Sequence, residues 1–362
     1  MSSSFGDYVK ISIFGESHGD AIGVVLDNLP AGYAVCPDEI NRQMARRAPG
    51  RDLTATPRSE GDVVRIVSGV LNDKTTGAPL CGMIENTNTR SADYENLRVQ
   101  PRPGHADYTG TIRYGGANDV RGGGHFSGRL TAPLTFAGAV CRQILAAQGI
   151  RIGAHALHIA GIYDSPFDPV NIPEELLARL SAEYFSLIDR AQEPAMRQKI
   201  EQARQSLDSV GGVVECAVTG LPAGIGSPMF YGVENVLSAI LFGIPAVKGV
   251  AFGDGFHSAE LHGSENNDAF QMTDGAVKTV TNHCGGILGG ITTGMPLVLR
   301  AAFKPTPSIA QEQDSVDLTA MTNTKLQVKG RHDPCIVPRA IPVVESAVAV
   351  GLMNLLAERG KL

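Results

Sequence analysis

The sequence contains no tryptophan, few aromatic residues and only a small excess of charge. Aromatic residues make up 6% of the chain, and there are no paired aromatics on which nucleic-acid bases would stack. The net charge of -6 is also unfavourable for nucleic acid and for anionic membranes, because both partners reward a basic surface. We therefore expect neither a nucleic-acid partner nor a membrane partner.

The cysteines form no Cys-x-x-Cys pair and follow no regular spacing. They are Cys36, Cys81, Cys141, Cys216, Cys284 and Cys335. This scatter predicts neither a zinc site nor a disulfide framework, and we expect no metal. Residues 1–10 lack the charged and apolar regions of a signal peptide, and no run approaches the ~18 unbroken apolar residues of a membrane span. A cytoplasmic location is the expectation.

What the sequence does contain is enough apolar material for a large core. Hydrophobic residues make up 43% and charged residues 19% of the 362 positions, which is typical of a soluble globular protein. Length alone allows one large domain or two ordinary ones. Residues 163–210 are charged and proline-punctuated, and we interpret them as a peripheral helical segment of a single domain 1–362.

Hydrophobic periodicity predicts the main strands and helices. The predicted strands are 8–14, 22–26, 63–67, 79–84, 213–218, 247–252 and 296–303. The predicted helices are one beginning at Pro37, one at 129–148, one near 233–241 and one at 343–356. Because strands and helices occur in mixed order without regular βα alternation, we expect an α+β layered fold.

Three remote segments place titratable side chains on glycine- or proline-bent backbone. They are Gly15-Glu16-Ser17-His18-Gly19, Arg102-Pro103-Gly104-His105-Ala106-Asp107 and Gly330-Arg331-His332-Asp333-Pro334. Functional groups are often held on loops that a rigid scaffold positions, so the pattern favours an enzyme with His18, His105 and Asp333 as candidates. Arg102 lies close enough in sequence to His105 to bind an anion beside it.

Two further features predict anion binding. The segment Arg121-Gly122-Gly123-Gly124 precedes a long apolar stretch, and bare backbone amides at a helix start suit a phosphate or a carboxylate. The second feature is a cluster of arginines between positions 42 and 58, accompanied there by a single acid, Asp52. A solvated helix face is the alternative interpretation of this cluster.

Other motifs are excluded by their context. Gly15-x-Ser17-x-Gly19 matches the letters of a nucleophile elbow, but a second strand follows it where the elbow requires a helix. The glycines at 122, 124 and 128 lack the acid that a dinucleotide fold places about 20 residues later, and no Walker sequence is present. His155 and His158 on an apolar strand, and His257 and His262 beside a polar loop, are interpreted as structural or exposed.

Taken together, the segments around His18, His105, Arg121 and Asp333 resemble the signature sequences of the chorismate synthase family, in the family's order and over essentially the whole chain. The resemblance implies a β-α-β sandwich with helices packed between antiparallel sheets, and a homotetramer. It also implies a carbon–oxygen lyase that eliminates phosphate from 5-enolpyruvylshikimate 3-phosphate to give chorismate, the last step of the shikimate pathway to aromatic amino acids. Reduced FMN is required, although the reaction has no net redox change.

The resemblance also implies roles for individual residues. His18 would donate a proton to the leaving phosphate, His105 would protonate reduced flavin near N1, and Asp333 would lie near flavin N5. The implied FMN-binding residues are His125, Phe126, Ser127, Gly289, Lys304, Pro305, Thr306, Pro307, Ser308 and Arg331, with Lys304 serving the flavin phosphate. The implied substrate-binding residues are Ser17, Arg46, Arg47, Arg129 and Arg339, since the substrate carries a phosphate and two carboxylates.

The chain departs from the family's commoner pattern at three places. Residues 125–131 replace Arg-Ser-Ser-Ala-Arg-Glu-Thr, Leu53 replaces an arginine for which Arg51 is a possible substitute, and Pro245 replaces an asparagine. At this length, with no recognisable reductase segment, we expect an external flavin reductase or NAD(P)H system to supply the reductant. The alternatives are a flavin-dependent oxidoreductase with its own hydride donor, for which no nicotinamide site is found, and a nucleic-acid-binding module.

Overall fold

The computed structural model describes residues 3–50, 61–87, 96–328 and 332–362. The helices in these ranges are α1 (Pro37–Arg47), α2 (Asp107–Arg113), α3 (Thr131–Ala147), α4 (Glu174–Leu180), α5 (Glu193–Gln205), α6 (Val233–Phe242), α7 (Gly263–Asn266) and α8 (Val337–Glu358). The strands are β1 (Ser4–Phe5), β2 (Lys10–Gly15), β3 (Ala21–Asp27), β4 (Arg65–Ser68), β5 (Val70–Leu71), β6 (Lys74–Thr75), β7 (Leu80–Glu85), β8 (Arg151–Ile159), β9 (Ile162–Tyr163), β10 (Gly212–Thr219), β11 (Val247–Phe252), β12 (Phe270–Thr273), β13 (Ala276–Thr279), β14 (Ile287–Leu288), β15 (Ile291–Thr292), β16 (Leu297–Phe303), β17 (Glu312–Asp317) and β18 (Thr322–Gln327).

Two five-stranded antiparallel sheets form the outer layers. The first has the order β1-β2-β3-β7-β4, and the second has the order β11-β16-β10-β8-β9. In the first sheet Ile13 pairs with Val24, and Val25 pairs with Cys81. Alternation along β2, where Ile11 is buried and Ser12 is exposed, turns one face of this sheet toward the core.

The long helices lie between the two sheets. Helix α3 packs against β2, β3 and β7 of the first sheet, while α8 packs against β8 and β10 of the second. The two helices also pack tightly on each other, since a Cβ added at Gly138 would overlap Ser346. This arrangement confirms the α+β fold with helices between antiparallel sheets.

A buried ion pair joins the helical layer to the second sheet. Glu345 of α8 lies 2.5 Å from Arg46 Nη1 of α1 and 2.5 Å from Arg142 Nη1 of α3. The same carboxylate accepts a hydrogen bond from the backbone N–H of Ala154 in β8. Removing one partner of such a buried pair costs about 3–5 kcal/mol, so this network holds four elements in register.

A second buried cluster fastens the segment after β9 to the outer face of the second sheet. His155 Nδ1 lies 2.7 Å from Asp164 and its Nε2 lies 3.1 Å from Glu215, all with fully buried side chains. Burial lowers the pKa of His155, but the two carboxylates outweigh burial and the pKa is raised. Asp164 also accepts the backbone N–H groups of Ile188 and Asp189. His155 is thus a structural cation.

The structure adjusts several element boundaries. The last helix begins at Val337, not at 343, with a proline in its first turn and Pro342 inside it. The peripheral segment 163–210 contains α4 and α5, as its composition predicts. Two apolar stretches, Gly128–Ala147 and Val337–Glu358, have the length and composition of membrane spans, but 72% and 94% of their apolar windows are buried inside the protein. We interpret both as core helices.

Candidate active site

A cavity of about 620 Å³ opens where the ends of several elements meet. Its walls come from the end of α1, the loop before α2, the turn before α3, the α6–β11 connection, the end of β16 and the start of α8. The lining residues that carry polar chemistry are Arg47, Arg102, His105, His125, Ser127, Arg129, Thr131, Lys248, Lys304, Thr306, Ser308, His332, Asp333 and Arg339. Segments remote in sequence therefore share one concave site.

The loop before α2 displays His105 on one wall. Gly104 has a φ of +72°, a conformation that a side chain would strain, and this bend turns the imidazole toward the cavity. His105 Nδ1 lies 2.6 Å from Asp107, and Arg102 binds the same carboxylate through Nε and Nη2 at 2.7 Å. Arg102 also donates from Nη1 to Ser308 Oγ at 3.0 Å. Its guanidinium thus joins the His105 loop to Ser308, and binding of an external anion by Arg102 stays a prediction.

The glycine run before α3 forms a turn between two histidines. Gly122, Gly123 and Gly124 have φ values of +60°, +85° and +53°, all in the left-handed region. A Cβ on Gly122 would overlap the ring of His18, and one on Gly123 would lie 3.1 Å from His105 Nε2. The missing side chains let both imidazoles approach one turn from different directions.

This turn is not the start of helix α3, contrary to the sequence-based expectation. Helix α3 begins at Thr131, and a short 3-10 turn, Gly128–Leu130, precedes it. The Ser127 hydroxyl accepts a hydrogen bond from Arg129 N at 3.2 Å and so caps the 3-10 turn. The glycines therefore shape the histidine environment, and they do not offer helix-terminal amides to an anion.

Two arginines on another wall share one buried acid. Asp62 pairs with Arg47 through Oδ2 and with Arg129 through Oδ1. Burial raises the pKa of Asp62, but the two guanidinium groups outweigh burial and lower it. Burial, together with the neighbouring charges of Arg339 and Arg129, lowers the pKa of Arg47 to about 10. Arg47 thus stays protonated at neutral pH beside an ionised carboxylate.

The start of α8 adds a second ion pair. Arg339 pairs with Asp333 and donates from Nε to the carbonyl oxygen of Arg47 at 3.0 Å. Although burial lowers the pKa of Arg339, Asp333 and other nearby groups outweigh it and the pKa is raised. Next to this pair, burial and the positive charges of Arg102 and His105 lower the pKa of His332 to about 4, so His332 is neutral at neutral pH.

The segment after β16 completes the cavity. Lys304 donates from Nζ to the carbonyl oxygen of Gly104, which ties this segment to the His105 loop. Thr306 Oγ1 and His332 Nε2 are buried, and among the described residues neither has a hydrogen-bond partner. Buried polar atoms are rarely left unsatisfied in native proteins, so these two atoms indicate that the site completes its hydrogen bonds with a ligand.

Comparisons with known proteins identify the family. The family model described as chorismate synthase matches residues 9–357. The chain belongs to the chorismate synthase family. It is 46% identical over 362 residues to a chorismate synthase of Dehalococcoides mccartyi, covering 99% of this chain and 98% of that protein. It is 47% identical over 354 residues to that of Thermococcus kodakarensis, covering 98% and 97%.

A solved structure agrees with the fold. A crystal structure of chorismate synthase superposes with a TM-score of 0.76 at 26% sequence identity, covering 98% of this chain and 93% of that one. The similarity extends over both sheets and the helices between them, since nearly the whole chain is matched. The resemblance that the sequence motifs indicate is therefore confirmed.

The cavity brings together most of the residues that the chorismate synthase resemblance implies. Those that line it are His105, His125, Phe126, Ser127, Arg47, Arg129, Lys304, Thr306, Pro307, Ser308, Asp333 and Arg339. Ser17, His18, Arg46, Gly289 and Pro305 are not among the lining residues. Arg331, like Arg51 and Leu53, lies outside the described residues. Ser17 and His18 are buried directly behind Gly122.

Arg46 and Gly289 lie farther from this site for identifiable reasons. The Arg46 guanidinium donates hydrogen bonds to Glu345, Gln43 and backbone carbonyl oxygens, because its position on α1 turns it toward the core. Gly289 is exposed at φ +61° in the turn of the β14–β15 hairpin. We therefore leave Arg46 out of the substrate site proposed below.

His125 has both ring nitrogens engaged by the protein. Nδ1 donates to the carbonyl oxygen of Gly15 at 2.7 Å, and Nε2 lies 2.6 Å from Ser3 Oγ. This histidine, which replaces the family's commoner arginine, ties the turn before α3 to the first sheet. The neighbouring Phe126 packs on Tyr114 with ring centroids 6.2 Å apart.

The structure adds residues that the motifs alone did not single out. Asp62 lies just beyond the arginine cluster, and nothing in its local sequence marks it as the partner of two distant guanidinium groups. The α6–β11 connection, 242–248, forms a whole wall. Its one signal in the sequence is Pro245, which replaces an asparagine of the family's commoner pattern, and the adjacent Ala246 has a φ of +74°.

Proposed function

We propose that this protein converts 5-enolpyruvylshikimate 3-phosphate into chorismate and inorganic phosphate by anti-1,4-elimination. It acts as a carbon–oxygen lyase on a phosphate ester, at the last step of the shikimate pathway. The observation that carries the proposal is the cavity in which His105, Asp333 and three arginines meet, in a chain of the chorismate synthase family.

The residues present fit a reduced FMN in this cavity. Its volume of about 620 Å³ falls in the range of roughly 300–1,000 Å³ usual for ligand pockets. The unsatisfied Thr306 Oγ1 and His332 Nε2 offer it hydrogen bonds. The residues that would hold FMN are His125, Phe126, Ser127 and the run from Lys304 to Ser308, with Arg331 as a further candidate; Gly289, in the exposed β14–β15 turn, is left out. When bound, reduced FMN supplies electron density to the electron-poor allylic centre of the substrate.

The substrate is held through its negative charges. Arg47, Arg129 and Arg339 line one side of the cavity, and a planar guanidinium binds phosphate and carboxylate groups bidentately. Ser17, which is buried behind Gly122 and does not line the cavity, stays a further candidate only. Holding the ester rigidly orients the phosphate and the hydrogen for anti departure, and this is the protein's main contribution to rate.

Three side chains would take part in proton transfer. His18 holds the proton that compensates the charge of the departing phosphate. By the family resemblance, His105 would supply a proton to the flavin ring near N1, and Asp333 would help relay the proton released from the substrate near N5. An imidazole with a reference pKa of about 6.5 exchanges protons readily at cellular pH.

The test is an anaerobic assay of phosphate release and chorismate formation from the enolpyruvyl ester. We expect turnover with reduced FMN and none with oxidised FMN or without flavin. Turnover that is equal with oxidised flavin, or absent with reduced flavin, contradicts the proposal. His18→Ala, His105→Ala and Asp333→Asn should each lower kcat about 10- to 10⁴-fold with the fold intact, and near-normal rates in all three would remove the role assignments.

We further propose a cytoplasmic homotetramer supplied with reductant by an external flavin reductase or NAD(P)H system. Large apolar side chains are exposed on several elements, which favours burial against other copies of the chain. They include Met229, Phe230, Phe256, Phe270, Met272 and Val277. Sedimentation velocity tests the assembly: a single monomeric species at micromolar concentration would contradict it.

A further inference from the structure

The environment of His105 distinguishes its two ring nitrogens. Nδ1 lies 2.6 Å from Asp107 Oδ1, a distance typical of a strong charge-assisted hydrogen bond. Because a carboxylate only accepts hydrogen bonds, Nδ1 must carry the hydrogen in this contact. In the neutral ring, Nε2 then carries the lone pair. The structure thus specifies the tautomer through geometry alone.

Asp107 is held as an anion in a fixed orientation. Its Oδ2 accepts from Arg102 N at 3.0 Å and from Arg102 Nε at 2.7 Å, and its Oδ1 accepts from Arg102 Nη2 at 2.7 Å. Burial raises the pKa of Asp107, but hydrogen bonds from Arg102 and His105 outweigh burial and hold the pKa far below its usual range. The carboxylate therefore cannot rotate away from the imidazole without losing Arg102.

The other nitrogen, Nε2, faces Gly123, which has no side chain. A Cβ on Gly123 would lie only 3.1 Å from Nε2, so the bare glycine leaves the imidazole room there. Arg102 Nη2 lies 3.3 Å from Nε2 and 3.1 Å from Nδ1, against the ring. Arg102 also reaches Ser308, so the orientation of His105 is linked to the segment 304–308 across the cavity.

We propose that Asp107 is the positioning residue for His105, fixing its Nδ1–H tautomer so that Nε2 is the atom that holds and gives up the working proton. This inference rests on the proposed function for its catalytic consequence, but the tautomer itself is independent of it. Asp107 does not touch the reacting atoms, and it acts through the imidazole.

A purely structural role for Asp107 is the competing explanation. Asp107 is the first residue of α2, where an acid is favourable, and it binds Arg102. Under this alternative, an amide at position 107 would change stability without changing the state of the histidine ring. The two explanations therefore differ in a spectroscopic readout.

The substitution Asp107→Asn distinguishes the positioning role from the purely structural role, because the Arg102 donors determine how the amide is oriented. Two Arg102 donors converge on Oδ2 and one reaches Oδ1. The amide oxygen therefore takes the Oδ2 position, where it keeps two of these three bonds, and the amide nitrogen takes the place of Oδ1 and loses the bond from Arg102 Nη2. That nitrogen is a donor, and it faces His105 Nδ1. It therefore favours the lone pair on Nδ1 and the hydrogen on Nε2, the reverse of the original tautomer.

The first measurement uses the flavin-free protein, with ¹⁵N-labelled histidine and long-range ¹H–¹⁵N correlation spectra at a pH where the ring is neutral. His105→Gln identifies the His105 signals by their loss. We expect the Nδ1–H tautomer in the unsubstituted protein and the Nε2–H tautomer, or a mixture, in Asp107→Asn. An unsubstituted protein with the hydrogen on Nε2 overturns the proposal, even if the variant does not fold.

The second measurement is the anaerobic assay. Asp107→Asn should lower kcat by about 10²- to 10⁴-fold, the scale of a wrong tautomer in a histidine–aspartate pair, with KM changed less than threefold. Asp314→Asn, an exposed carboxylate paired with Lys325, is the matched control and should leave both constants unchanged. A folded Asp107→Asn with normal kcat overturns the proposal. Failure of the unsubstituted protein to form chorismate would count against the proposed function alone.

Discussion

Replacing Gly122 by alanine should displace His18 and reduce turnover far more than it reduces stability. Gly122 has a φ of +60°, and an added Cβ would overlap the imidazole and lie 2.8 Å from Ser17 Oγ. Gly115 is the matched control, because it has a φ of +59° and no atom within 4 Å of its ideal Cβ position. Both alanines bear the same backbone strain, and only one collides with a histidine.

The magnitudes follow from these two contributions. An alanine in the left-handed region costs about 1–2 kcal/mol, and this cost should appear in the free energy of unfolding of both variants. At Gly122 the collision adds a further cost, or else the ring moves. Non-bonded heavy atoms need about 3.5 Å, whereas the ideal Cβ at position 122 would lie 2.1 Å from His18 Nδ1. His18 therefore has to shift by roughly 1.4 Å, and a displacement of about 1 Å can already cost about 10²-fold in rate.

Urea unfolding and the anaerobic phosphate-release assay measure the two effects separately. We expect Gly115→Ala to lose stability while keeping kcat within about twofold, and Gly122→Ala to lose about 10²-fold in kcat while still folded. Equal kcat values for the two variants would refute the reasoning, because His18 would then tolerate displacement. A crystal structure of Gly122→Ala would show whether the ring has moved.

Three other predictions concern stability, binding and thiol chemistry. His155→Gln leaves the buried Asp164 without its cation and should lower the free energy of unfolding by about 3–5 kcal/mol. Because the pKa of His155 is raised in the folded state, this loss of stability should be full below about pH 6.5 and should shrink as pH rises through the folded-state pKa. Urea titrations at several pH values will check this. Arg47→Ala should raise KM at least tenfold, whereas Arg46→Ala should instead lower stability by about 3–5 kcal/mol with KM unchanged, as steady-state kinetics and urea melts will show. Cys36, the one fully exposed cysteine, should react with a thiol reagent in the native protein, while the buried cysteines react only after unfolding.

The sequence predicts the sheets and the long helices well because their signals are local. Alternation in β2 follows from burial on one face, and the nearly continuous apolar sequence of α3 follows from burial on most sides; both elements form where predicted. The start of α8 is missed because Pro342 resembles a helix start, while the helix accommodates it in its second turn. The glycine run is likewise interpreted as leading into a helix, since three glycines allow positive φ angles but do not show whether the backbone forms a separate turn or starts the helix.

The sequence predicts which residues belong to the candidate site, but it does not predict which of them contact one another. Helical spacing predicts that Arg46 and Arg47, adjacent on α1, face in different directions, but not that the first faces Glu345 and the second the cavity. Their separation follows from the 100° turn per residue of a helix and from the position of α8. Nor can the sequence reveal that Asp62 joins the two arginines, because that contact depends on the packing of remote elements.

Pairing of the cavity's arginines with acids is what permits them to be buried without a ligand. Asp62 forms ion pairs with Arg47 and Arg129, and Asp333 forms an ion pair with Arg339. Burying a guanidinium without a partner would cost several kcal/mol of folding free energy. Without their carboxylate partners, these buried arginines would therefore destabilise the folded protein. An anionic substrate consequently does not enter an empty positive site. It binds by competing with, or adding to, carboxylates already in place, and its affinity reflects the difference between the two sets of contacts.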